Sequence, residues 1–173
     1  MTLRRIILAL AITCRVACAQ SADEYRVKAA FLFNFTKFVE WPSLAFHDTK
    51  DPIYICVFGS NPFGTALKEA VHGKVIQNRV LEVRLVADPA QSNGCQVLFV
   101  PASERKQLRP ILDAAAGHGV LTIGEADWFL RDGGVINLRI ESGSVRIQVN
   151  PQAADQQHLQ ISSKLLSLAE IVR

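Results

Sequence analysis

The side chains able to do chemistry are few and scattered. Four histidines, His47, His72, His118 and His158, stand far apart, without the paired spacing that lets two imidazoles share a metal ion. No serine occupies a Gly-x-Ser-x-Gly elbow. Cys56 sits between Ile55 and Val57, an apolar setting that raises a thiol's pKa and works against a nucleophile. Asp48, Asp51, Asp127 and Asp132 fall in loops or turns with no neighbouring acid-base partner. Gly59-Ser60-Asn61-Pro62-Phe63-Gly64 follows a strand and precedes a helix, where a phosphate-binding loop would lie. It lacks the lysine of a Walker loop, and its glycines do not match the dinucleotide spacing, so it reads as a strand-to-helix turn. No residue stands out as catalytic acid, base or nucleophile, and the chain reads as a non-enzyme with no cofactor and no metal.

The N-terminal residues have the order of a secretory leader. Arg4 and Arg5 precede the apolar run Ile6 to Ile12, and Ala17-Cys18-Ala19 offers a small-x-small cleavage site. The run falls short of the ~20 residues of a membrane-spanning helix. Residues 1–19 are therefore predicted to be a cleavable signal and residues 20–173 a single domain in an oxidising compartment. Arg4, Arg5 and Arg15 leave with the leader, and no acid precedes Asp23, so the formal charge falls from +3 to 0. A nucleic-acid-binding surface is not indicated. Cys14 and Cys18 lie in the leader, leaving Cys56 and Cys95. An even pair in an exported chain reads as one disulfide; the alternative is two buried thiols that never meet.

The elements that must position these residues follow from periodicity. Ser21 and Glu24 form a capping box opening a helix that ends near Trp41-Pro42, with Val27, Phe31, Phe35 and Phe38 along its inward stripe. Ile53 to Phe58 and Gln96 to Val100 read as buried strands, and Val120 to Ile123 as another. A helix is predicted from Pro62 to Val71 and another from Ser103 to Ala116. Val80 to Val86 alternates as a half-exposed strand with Leu81, Val83 and Leu85 on one face. Val135 to Ile140 and Val145 to Val149 alternate around Ser142-Gly143 as an antiparallel hairpin, stopped by Asn150-Pro151. A last helix is predicted from Ser162 to Val172. The fold class is α/β: a mixed, mostly parallel Rossmann-like sheet with a C-terminal antiparallel hairpin and helices on both faces.

Taken in order, these segments resemble the YfiR family of exported bacterial regulators. The run from Glu24 to Pro42 looks like the family's opening signature almost throughout. Cys56-Val57-Phe58-Gly59 with Asn61-Pro62-Phe63 is similar to its first strand and turn. Cys95 to Val100, Val120 to Ile123, Gly133 to Ile136 and Ile161 to Ala169 follow in the family's order. The resemblance implies a periplasmic inhibitor that binds the periplasmic sensor domain of an inner-membrane diguanylate cyclase and holds it inactive. Capture by an outer-membrane-associated lipoprotein, or redox stress, would release the cyclase, raise cyclic di-GMP and favour biofilm. Cys56 and Cys95 fit the family's cysteine positions. Members with a second cysteine pair carry it around the Gly-Gly turn; here no cysteine lies between Phe129 and Ile140, so that redox element has no counterpart.

Two functions follow as expectations. The first is the inhibitory binding protein, with loop aromatics Phe46, Trp128 and Phe129 as candidate partner anchors, because aromatics dominate interface hot spots. Those same rings could instead close the edge of the core. A homodimer is a further partner considered. The second is a periplasmic small-molecule-binding or redox-sensing protein without a cyclase, its pocket at the carboxyl ends of the strands near Gly59 or Gly124.

Overall fold

The computed structural model describes residues 22–172. The predicted leader and the Ser21 cap lie outside them. Helix α1 covers residues 22–35. It unwinds at Thr36, whose hydroxyl donates to the Phe33 carbonyl at 2.6 Å, and residues beyond it form β1 (Val39–Glu40) instead of extending the helix to Trp41. Its buried stripe is Lys28, Ala29, Leu32 and Phe35, while Val27 is 46% exposed. The expected stripe of Val27, Phe31, Phe35 and Phe38 is met in part: Phe35 is buried, Phe31 and Phe38 pack half-buried against the core, and Val27 faces outward while Lys28 takes a buried place beside Ala29.

An eight-stranded sheet forms the body. Its strands are β2 (Ile53–Phe58), β3 (Val75–Ile76), β4 (Arg79–Val86), β5 (Val97–Val100), β6 (Leu121–Gly124), β7 (Ile136–Glu141), β8 (Ser144–Val149) and, from the C-terminal tail, β10 (Glu170–Ile171). Their spatial order is β10-β8-β7-β6-β5-β2-β4-β3. Pairing is parallel from β4 through β7, and antiparallel at the β7–β8 hairpin and at β3. Ser142 and Gly143 at the hairpin turn both have positive φ, 49° and 76°, as a tight two-residue turn of the type that matches strand twist requires. The expected mixed, mostly parallel α/β sheet with a C-terminal hairpin is therefore observed.

Alternate residues of each buried strand feed two separate cores, as the pleat dictates. Ile53, Ile55 and Val57 of β2 pack with Val97, Phe99, Leu121 and Ile123 under α1, α2 (Ala66–Val71) and α4 (Pro151–Gln156). Cys56 and Phe58 face the other way, with Leu98 and Val100, under α3 (Leu108–Ala115) and Phe129. Helices thus cover both faces.

Four elements differ from the local expectation. Residues 62–65 are a turn rather than the start of α2, since the Asn61 side chain accepts from the Phe63 amide at 3.0 Å and donates to the Gly64 carbonyl at 3.1 Å. The stretch expected as one helix from Ser103 starts as a 3-10 segment, Ala102–Gln107, that kinks at Glu104 before α3 begins. Leu85 is 58% exposed at the sheet's outer part, although its alternation with Leu81 and Val83 is as predicted. The expected C-terminal helix is only α5 (Ser163–Leu166), capped by Ser162, and the tail then turns into β10. β10 lies parallel to β8, and the Val172 amide reaches the Val149 carbonyl at 2.9 Å. A side-chain ladder decides this outcome. Buried Asn137 donates to Gln148 at 3.2 Å, and Gln148 donates to Glu170 at 2.8 Å. Buried amides left without partners cost about 1–3 kcal/mol each, and a tail strand supplies the last acceptor. Asn150-Pro151 ends the hairpin and also starts α4, with Asn150 accepting from the Ala153 amide at 3.1 Å. β9 (Gln160–Ile161) then pairs with β1 as a separate small ribbon.

Candidate functional site

Strand β2 has β4 on one side and β5 on the other. The chain therefore reverses its winding at the β2–β5 boundary, the position where open α/β sheets form a crevice beyond their carboxyl ends. Three loops meet there: Gly59-Ser60 after β2, Ala102-Ser103-Glu104 after β5, and Glu125 after β6. Gly59 has φ 66°, and the Glu104 carboxyl oxygen lies 2.4 Å from the point where a side-chain carbon on Gly59 would stand. The left-handed backbone at this position is what favours glycine, since the Glu104 carboxyl is the far end of a flexible side chain and could swing aside.

The first turns of α1 fill this region. Lys28 is 2% exposed, and its ammonium donates to Glu125 Oε2 at 2.7 Å and to Glu24 one turn earlier. The ammonium also lies 4.7 Å from the centre of the Tyr25 ring. Tyr25 donates its hydroxyl to Glu125 Oε1 at 3.1 Å, and the Ala102 amide donates to the same oxygen at 3.2 Å. Burial, and then the Glu125 charge and hydrogen bond, push the Tyr25 hydroxyl above its ordinary value, so it remains a neutral donor. The Tyr25 ring packs edge-on against Phe63, which packs on Phe99. One buried cation, two carboxylates and a phenol thus tie α1 to the loop after β6 and, through the Ala102 amide, to the loop after β5, while the Tyr25 ring meets Phe63 in the turn that follows β2. Sequence reading missed this cluster because Lys28 and Glu125 are 97 residues apart. The one local signal was Glu24 at four residues before Lys28, the spacing of a favourable helical pair.

Cys56 and Cys95 are joined, with 5.9 Å between their Cα atoms and a sequence separation of 39. Both are buried in the core under α3.

The three aromatics considered as anchors part company. Phe129 is fully buried and cannot meet a partner. Its ring fills a slot opened by two glycines: a side-chain carbon on Gly134 would stand 2.1 Å from Phe129 Cε1, and one on Gly124 would stand 2.3 Å from its Cγ. We expect Gly134→Ala to lower the unfolding free energy by about 2–3 kcal/mol, because the enclosed ring has no room to retreat. Urea denaturation of the variant checks this; a loss under ~0.5 kcal/mol would show that the slot can relax. Phe46 is half-buried beneath the Arg79 guanidinium, 3.7 Å from its ring centre, and Arg79 also donates to the Asp48 and Asp51 carbonyls at 2.9 and 2.7 Å. Trp128 is half-buried with Arg105 5.4 Å above its ring. Phe46 precedes β2 and Trp128 follows β6, so the two lie at opposite ends of the parallel sheet and do not form one patch. All four histidines are exposed. The lysyl amide of residue 50 and then the Thr49 hydroxyl hold the Asp48 carboxyl below the usual carboxylate range, which marks a tight loop.

The profile of the YfiR/HmsC-like family matches residues 25–170. The chain belongs to the YfiR/HmsC-like family. Among solved structures, this family member is similar to a conserved domain protein from Vibrio cholerae O1 biovar El Tor str. N16961, with TM-score 0.54 and 13% identity over 70% of this chain. It is also similar to an ABC domain in complex with L-Trp from Streptococcus pneumonia, with TM-score 0.51 and 10% identity over 71% of this chain. This YfiR/HmsC-like chain spans 55% of the length of each of those proteins, and at such identities the likeness shows shared fold alone. A comparison with curated proteins finds no match. Among the described residues of this YfiR/HmsC-like protein, no helix is long and apolar enough to cross a membrane.

Proposed function

We propose that this chain is a periplasmic regulatory binding protein that represses a membrane diguanylate cyclase by binding the cyclase's periplasmic sensor domain, lowering cyclic di-GMP and biofilm formation. The observation that carries this reading is the YfiR/HmsC-like match over residues 25–170. The leader-like order of Arg4, Arg5, Ile6 to Ile12 and Ala17-Cys18-Ala19 supports export, with residues 20–173 as the working domain. The joined Cys56 and Cys95 are in keeping with an oxidising compartment.

The geometry favours a binding role over a small-molecule pocket at the strand ends. The crevice near Gly59 and Gly124 holds the protein's own Tyr25, Lys28 and Glu125 in mutual contact. Repression then works by preference for one state of the partner. A swing from mostly active to mostly inactive needs about 5.5 kcal/mol tighter binding to the inactive form. An outer-membrane-associated lipoprotein that competes for this chain would relieve repression by mass action.

Deleting the gene and measuring cellular cyclic di-GMP tests the reading. The expected result is a rise on deletion, reversed by the full-length chain and not by a version lacking residues 1–19. Unchanged cyclic di-GMP across several growth conditions would overturn it.

A further inference from the structure

A second charged region lies on the α3 side of the sheet and plays no part in the arrangement above. Arg105 and Lys106 from the 3-10 segment, Arg109 from α3 and Arg131 from the loop after Phe129 line one surface hollow of about 350 Å³, floored by buried Leu108 and bordered by a single acid, Asp132. Of the acids nearby in sequence, Asp113 holds Arg109 at 3.0 Å, Asp127 holds Arg139 at 3.4 Å, and the Glu104 side chain turns toward Gly59 and does not line the hollow. Four cations set against Asp132 and Asp113 leave a local excess of two positive charges, in a chain whose residues 20–173 sum to zero. Among the described residues, no carboxylate pairs with Arg105, Lys106 or Arg131. The first turn of α3 carries no acid, so the positive end of the helix dipole adds to the same field.

We propose that this hollow is a binding site for a phosphate monoester dianion. Three guanidinium forks and an ammonium suit a group bearing several acceptor oxygens and about −1.5 to −2 charges at pH 7. A carboxylate, with one charge and two oxygens, would leave the excess half neutralised. The ring of Trp128, stacked beneath Arg105, steadies one of the forks and reports on it optically. The group could be carried by a soluble metabolite or by a lipid headgroup, since the chemistry recognised is the same. The site does not depend on the proposed cyclase partner.

The test titrates the purified protein, carrying Trp41→Phe so that Trp128 alone emits, with glycerol phosphate, against sodium chloride at matched ionic strength, following tryptophan fluorescence and backbone amide NMR shifts. The expected result is a saturable response confined to residues 105–109 and 128–132, at least tenfold weaker in Arg105→Gln with Arg131→Gln. Both substituted side chains are exposed, so folding should be retained, and circular dichroism of the double variant confirms it. Vesicles of phosphatidic acid in phosphatidylcholine separate the sources. Vesicle capture competed by glycerol phosphate assigns the lipid headgroup, and a glycerol phosphate response without vesicle capture assigns a soluble ligand. An equal response to chloride, shifts spread over the whole surface, or an unweakened response in the double variant would overturn the proposal.

Discussion

Lys28→Met is expected to lower the unfolding free energy by about 3–5 kcal/mol, the cost of breaking a buried ion pair by removing one partner. Methionine keeps the aliphatic length of the side chain, so the loss reports the ammonium and not the packing. Without it, the Glu125 carboxylate, 7% exposed, retains only the Tyr25 hydroxyl and the Ala102 amide, and faces Glu24 with no cation between them. Glu24 is 31% exposed and can turn toward water; Glu125 cannot. Glu125→Gln should cost less, since the Lys28 ammonium keeps Glu24. Combining Lys28→Met with Glu125→Gln should recover part of the single-variant loss, because a neutral amide needs no counter-charge. Urea denaturation of the four proteins gives the coupling energy directly. A Lys28→Met protein within ~1 kcal/mol of wild type would show that α1 is held by its apolar stripe alone.

Removing the Cys56–Cys95 link by paired alanine substitution is expected to cost about 4 kcal/mol from loop-closure entropy for a 39-residue separation. Both sulfurs lie in the packed core beside Phe58 and Leu98, so the small cavities left behind add to that figure. The link ties the middle of β2 to the residue that leads into β5, the two strands that bound the crevice. The variant should melt well below the wild type in thermal circular dichroism. A variant as stable as wild type would mean that the pairing is dispensable to the fold, and its role would have to be sought in redox control.

Much of the fold was legible in local chemistry. The short, β-branched apolar runs at Ile53 to Phe58 and Gln96 to Val100 read as strands covered on both faces, and the structure has strands at Ile53–Phe58 and Val97–Val100. Alternation around Ser142-Gly143 made a hairpin the one arrangement that buries a single face and supplies the positive φ of the turn. Cysteine count in a chain with a leader-like start pointed to the Cys56–Cys95 pair, and the ordered motifs pointed to the family.

Tertiary structure decided what depends on a partner far away in the chain. Apolar periodicity says nothing of Lys28 beyond its four-residue spacing from Glu24; a carboxylate contributed by the loop after β6 makes its burial stable. The tail from Ser162 reads as a helix by spacing, yet an open sheet edge and an unpaired Gln148 amide draw it into β10. Phe129 looks like an exposed loop aromatic until Gly124 and Gly134 meet around its ring. The cations of the α3 hollow come from two separate segments, and only folding makes them one field. A residue's own chemistry sets its local conformation, whereas burial of a charge, and the site built from it, require a counterpart whose position the fold alone supplies.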